Sequence, residues 1–176
     1  MSTGQTFLTL VAMMLLSTIL MNFYRVLAST GDDIMSGQDG ILATTIATSY
    51  MELANGLSFD EISDTSDIAL NNASALTLPA NLGHESSSED SIYKFNDYDD
   101  FKGFVTEKEA GGSNRRYHSE FDVNYVNPDN VAEVVNYRTF VKRLDVKIWR
   151  VFPPVSATDK IDTLRVSQVM GYFHFD

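Results

Sequence analysis

Three carboxylates and an asparagine crowd into the five positions 96–100, as Asn96, Asp97, Asp99 and Asp100. Oxygen ligands at such close spacing can hold calcium. The segment lacks the glycine and the distal glutamate of an EF-hand loop, however, and its aromatic residues Phe95, Tyr98, Phe101 and Phe104 alternate with the acids. That alternation predicts a stretch pinned by its rings with Asp97, Asp99 and Asp100 turned to water; calcium held by those three is the alternative. The histidines His84, His118 and His174 are scattered, and no HExxH-type ligand spacing occurs. The chain also lacks a GxSxG nucleophile turn, a GxxxxGK phosphate loop and a GxGxxG dinucleotide loop. Gly111-Gly112 reads as a turn and Arg115-Arg116 as a surface pair of salt-bridge donors. No catalytic constellation emerges, so neither an enzyme nor a cofactor is expected.

Composition narrows the classes further. The chain has 176 residues, no cysteine and a formal net charge of -11. Without cysteine there is no disulfide framework and no thiolate chemistry. An acidic chain with no basic stripe repels phosphates, so no nucleic-acid partner is expected. Asn72-Ala73-Ser74 fits a glycosylation acceptor pattern, a triplet common by chance.

The elements that must position these residues fall into two halves. Across residues 7–21 the only polar side chains are Thr9, Ser17 and Thr18. Hydroxyls can bond back to a helix carbonyl, and about 20 helical residues span about 30 Å, the thickness of a hydrocarbon core. Arg25 near the far end can snorkel to an interface. A cleaved signal peptide is disfavoured because the start lacks a positive n-region, and a permanent single-pass anchor competes with an assembly helix. From residue 34 to about 57 the pattern turns amphipathic, with Ile34, Ile41, Leu42, Ile46, Tyr50, Leu53 and Leu57 on one face and Ala43 and Ala47 beside them. Gly31 and Asp32-Asp33 mark a candidate kink or unwound point. Residues 61–116 read as a loop-rich connector, with a solvated loop at 86–90 and a flexible turn at 109–114. Three strands follow, at 117–126, 140–152 and 161–175. In the second, Phe140, Lys142, Leu144, Val146, Ile148 and Arg150 face one way, and Trp149 is expected in the core or at an interface. Neighbouring strands joined by short polar loops favour an antiparallel sheet.

Taken together, the short leader ending at Gly4, the Phe7-Leu8-Thr9-Leu10 start of an apolar helix, its amphipathic continuation and the β-rich end resemble the type IV pilin and pseudopilin superfamily. The run from Lys142 to Trp149, followed by Val166-Ser167-Gln168-Val169, also looks like the head of prepilin-type proteins. The resemblance implies an α+β fold: a long N-terminal helix, an apolar half over 1–28 and an amphipathic half over 29–60, packed on a C-terminal antiparallel β-sheet head over 117–176. It implies cleavage between Gly4 and Gln5, with retention of the leader as the alternative. Thr9 stands where the family's glutamate falls, so the pairing of that acid with a neighbour's amine is not available here.

The function so implied is a structural subunit of an extracellular type IV pilus-like helical filament. Its core would be built by Phe7, Leu8, Leu10, Val11, Leu15, Leu16, Ile19, Leu20 and Phe23. The expected partners are copies of the chain itself in a helical homopolymer, the inner membrane before assembly, and the pilus assembly machinery. The expected course is a single-pass stay in the inner membrane, then export to a filament on the cell surface. Arg25 is expected to pair with Asp32 or Asp33 of a neighbour, because a buried unpaired charge is costly. The alternatives are a pseudopilin-like minor component of a secretion or DNA-uptake machine, and a membrane-tethered monomeric binding domain.

Overall fold

The first proline of the chain is Pro79, so no residue before it lacks an amide for a helical ladder. The computed structural model describes residues 3–65, 72–84, 91–112, 114–154 and 162–172. Its first element, α1, is a 53-residue helix over Thr3–Asn55. The unwinding expected at Ser29 to Asp33 does not occur: α1 is helical through Gly31, Gly37 and Gly40. A glycine costs a helix about 1 kcal/mol relative to alanine, a penalty that neighbouring turns absorb, whereas only proline removes a hydrogen bond outright.

The chain divides into two compact units, 1–41 and 42–176. In the first, the side chains of α1 are exposed all round, apart from a half-buried Asp39. In the second, α1 turns one narrow stripe inward, at Ala43, Ile46, Ala47, Tyr50 and Ala54. Those steps of three and four mark one helix face. The expected face was wider. Ile34 and Ile41 are exposed, as is Leu53, while Leu42 and Leu57 are partly buried. Three alanines share the covered face with the larger Ile46 and Tyr50.

Past Asn55 the chain turns through Gly56, reaches Phe59-Asp60, and forms the short helix α2 over Glu61–Thr65. Asp60 opens α2: its carbonyl accepts from the Ser63 amide at 2.8 Å, and its own amide donates to Ser63 Oγ at 2.9 Å. Among the described residues the connector then holds four 3-10 turns, the last over Asp99–Phe101. The loop expected at 86–90 lies outside the described residues.

Five strands follow among the described residues: β1 over Val105–Ala110, β2 over Arg115–Asn127, β3 over Asn130–Val134, β4 over Val141–Phe152 and β5 over Thr163–Gly171. They form one antiparallel sheet in the order β1-β2-β4-β5, with β3 paired to β2. The fold class is therefore α+β, a long N-terminal helix packed on an antiparallel sheet, as expected. The three expected strands correspond to β2, β4 and β5, although position 161 and positions 173–175 lie outside the described residues. β1 and β3 were not expected. Glu109 and Ala110 belong to β1, and only the positions after them turn, with Gly112 and Asn114 at positive φ of 72° and 51°.

The alternation of β4 sets the inner face. Lys142, Leu144, Val146 and Ile148 are buried, paired across to Tyr125, Val123, Phe121 and Ser119 of β2. Phe121 meets Tyr50 of α1 edge-on, with ring centroids 4.9 Å apart. Phe95, Phe101, Phe104 and Phe121 form a ring cluster with centroid separations of 5.1 to 5.7 Å. Burying each large apolar side chain contributes about 1.5–3 kcal/mol. A smaller core gathers Phe59, Leu76, Leu82 and Tyr125. Trp149 belongs to neither. It is half-buried and stacks on His118 at 4.4 Å.

Candidate functional site

Two places stand out, one for what it leaves uncovered and one for what it covers. The first is the apolar half of α1. Phe7, Leu8, Leu10, Val11, Leu15, Leu16, Ile19, Leu20 and Phe23 are each between 41% and 72% exposed. Three hydroxyls in this half are bonded within the helix. Thr6, Thr9 and Thr18 Oγ1 donate to the carbonyls of Thr3, Thr6 and Leu15 at 2.8 to 2.9 Å. Thr30 Oγ1 donates to the Val26 carbonyl at 2.8 Å. A hydroxyl bonded in this way carries little desolvation cost into lipid or a protein interior. This helix is long and apolar enough to cross a membrane, and its most apolar window has no buried residue. Gly4 and Gln5, the candidate cleavage pair, lie in its first turns.

Arg25, Asp32 and Asp33 are exposed on the same helix. Helix neighbours meet at spacings of three and four. Arg25 is seven and eight positions from the two aspartates, so one helix does not pair them directly. Among the described residues, none of the three forms an ion pair.

The second place is buried and charged. The segment 96–100 does not turn its acids to water: Asp97, Asp99 and Asp100 all have zero exposure. The rings do pin it, as expected, but they pull the carboxylates under with them. Asp97 Oδ1 accepts from the amides of Asp99 and Asp100 at 2.9 and 3.2 Å. Asp100 Oδ2 accepts from the amides of Asn96 and Asp97 at 2.9 and 3.4 Å. Two carboxylates are thus spent on capping their own turn, and the third meets a lysine. Among the described residues no three His, Cys, Asp or Glu side chains are grouped to hold a metal ion. Asp97, Asp99 and Asp100, the alternative calcium ligands, do not form such a group.

That lysine is Lys142, the single charged residue among the buried positions of β4. Its Nζ donates to the Phe59 carbonyl at 2.7 Å, to Asp60 Oδ2 at 2.9 Å, and to Asp99 Oδ1. Lys142, Asp60 and Asp99 all have zero exposure. The ammonium also lies 4.7 Å from the centroid of the Phe59 ring and 5.4 Å from that of Tyr125. Asp60 is held from several sides: the Thr77 amide and Oγ1 donate to it at 3.1 Å, and Tyr125 Oη at 3.3 Å. A bridge between Ser58 and Asp97 brings the two acidic segments side by side, with the Tyr98 amide donating to the Ser58 carbonyl at 2.9 Å. Burial raises the Asp99 carboxyl above the usual carboxylate range, against the lowering pull of Lys142.

Sequence reasoning placed Lys142 on the apolar side of its strand without giving it a role, and passed over Asp60. A lysine on the inward side of an alternating strand is itself the signal, because it is rarely buried unpaired. The remaining expected residues disperse. His118 lies beside Glu107 and Glu120 at 3.6 and 3.9 Å, and His84 lies 3.9 Å from Asp100. His174 lies outside the described residues. Arg116 pairs with Glu107 at 3.0 Å on the surface, as expected. Comparison with family models, curated proteins and solved structures returns no match.

Proposed function

We propose that this chain is a structural subunit of a type IV pilus-like helical filament, whose core is the bundled apolar half of α1. The observation that carries the reading is the exposure of apolar side chains on every side of that half. A helix that is apolar all round has to be surrounded by something apolar, and lipid and copies of itself both qualify. Burying about 20 such residues at roughly 1–2 kcal/mol each contributes tens of kcal/mol. That is enough to hold the subunit in the inner membrane and later to drive bundling. Ala12, Ser17 and Thr18 permit close helix approach, and a repeated non-closing contact yields a helical polymer. The pilin resemblance of the N-terminus and the α+β class of the fold support the same reading.

Arg25 supplies the electrostatic part. On bundling its guanidinium leaves water, and Asp32 or Asp33 of a neighbouring copy is the counter-charge within this helix type. The test is electron microscopy of cells and of sheared supernatant, with mass spectrometry of the fibres. Uniform fibres containing this chain are expected, and Arg25→Glu should abolish them while Arg25→Glu with Asp32→Arg and Asp33→Arg restores them. A chain that never enters fibres, yet remains in membranes and copurifies with a secretion or DNA-uptake machine, would identify the pseudopilin-like alternative. A chain whose removal of residues 1–28 leaves ligand binding intact would identify a tethered binding domain.

A further inference from the structure

Lys142, Asp99 and Asp60 form a group of one amine and two carboxyls closed off from water. As an ion cluster it is unbalanced, because one ammonium cannot neutralise two carboxylates in a medium where an uncompensated charge is expensive. The two carboxyls are also unlike. Asp60 accepts from Thr77 and Tyr125 as well as from Lys142, so protein donors replace its water. Asp99 has Lys142 against its Oδ1, and burial drives it toward the neutral acid. A neutral carboxyl is an electrophile, an amine in contact with it is a nucleophile, and a fixed carboxylate beside both is a proton carrier.

We propose that Lys142 and Asp99 condense to an intramolecular isopeptide bond, with Asp60 carrying the proton. The Lys142 ammonium first passes a proton to Asp99, leaving a neutral amine and a neutral carboxyl. The nitrogen lone pair attacks Asp99 Cγ and a C–N bond forms. Asp60 takes a proton from the attacking nitrogen and gives it to the departing hydroxyl. The C–O bond breaks, water leaves, and Asp60 is regenerated. Nothing is oxidised or reduced, and no co-reactant enters. The rings of Phe59 and Tyr125 keep bulk water from competing. Held contact converts an intermolecular condensation into a unimolecular one, which is the source of large effective molarities. The bond would join β4 to the turn Asp99–Phe101 across 43 positions of sequence. It would close a loop as a disulfide does, in a chain with no cysteine.

Full-length protein is purified in detergent, denatured, digested with trypsin and analysed by mass spectrometry. The expected result is peptides 95–102 and 139–143 recovered as one species, lighter than their sum by one water, about 18 Da. Fragmentation should place the link at Asp99 and Lys142. Peptides 95–102 and 139–142 recovered separately from folded wild-type protein overturn the proposal and leave an ion cluster. This measurement needs no variant to fold. Lys142→Arg, which keeps the charge and removes the nucleophile, should lose the joined species entirely. Asp60→Asn should form it roughly a hundredfold more slowly, with the fold checked by circular dichroism. Joining at the wild-type rate in folded Asp60→Asn would overturn the part assigned to Asp60.

Discussion

Residues 3–41 and the unit that begins at Leu42 are built on opposite plans. The first carries its apolar side chains outside: Leu8 and Met14 are 72% and 71% exposed. The second carries charge inside, with Lys142, Asp60 and Asp99 at zero exposure. A water-soluble domain reverses neither rule without a reason. The apolar helix bonds Thr6, Thr9 and Thr18 to its own carbonyls and leaves hydrophobic burial to whatever surrounds it. The second unit completes its own core and then spends part of it on a polar group. One region is finished only by its surroundings, while the other is finished by its own fold.

The contrast can be broken most directly at Lys142. Lys142→Ala leaves Asp60 and Asp99 buried without their partner from β4, and should cost about 3–5 kcal/mol, read as a lower urea midpoint of the full chain in detergent. Next comes alkaline pH. Burial raises Tyr50, Tyr98 and Tyr125 above the ordinary phenol value. The native state therefore keeps protons that the unfolded chain releases from about pH 10 upward. Stability contributed by each is complete below that pH and is lost as pH rises through the folded value, at no more than about 1.4 kcal/mol per pH unit for each tyrosine. Unfolding followed from pH 8 to 12 should show the decline, and Tyr50→Phe and Tyr98→Phe should each flatten it. A smaller effect is expected from Thr77→Ala, which removes the hydroxyl bond to Asp60 and should cost about 1 kcal/mol in the same urea titration. Smallest in the second unit is the effect of Leu15→Asp. Its unfolding should change by less than about 0.5 kcal/mol, while fibre formation is lost. A Leu15→Asp chain that still makes fibres would remove the apolar half of α1 from the assembly.

Much of this organisation was legible because it is local. The absence of proline and the run of apolar side chains mark α1, and a period of two marks β2, β4 and β5. β1 escaped because Thr106-Glu107-Lys108-Glu109 is charged on what reads as both faces. An edge strand needs only a partner, here β2, to be a strand. β3 escaped because its five residues are all exposed and give no alternation to read. The acids at 97, 99 and 100 were misread for a related reason. A carboxylate next to an aromatic residue looks solvated until the amides that cap it and the lysine that meets it are known. Asp97 and Asp100 found their donors within four positions, so that part was within reach of turn chemistry. Asp99 did not.

By itself the sequence determined where a long helix runs, that half of it cannot rest in water alone, and that Lys142, Leu144, Val146 and Ile148 share one face of their strand. Those properties follow from side-chain polarity and spacing, which act over a few residues. Tertiary structure decided the rest. Only folding brings Lys142 against Asp60 and Asp99, 82 and 43 positions away. Only the packing of the segment from Leu42 onward covers Ala43, Ile46, Ala47, Tyr50 and Ala54 while Leu53 stays exposed. Contacts between distant residues depend on the closure of the whole chain, and no local pattern encodes them.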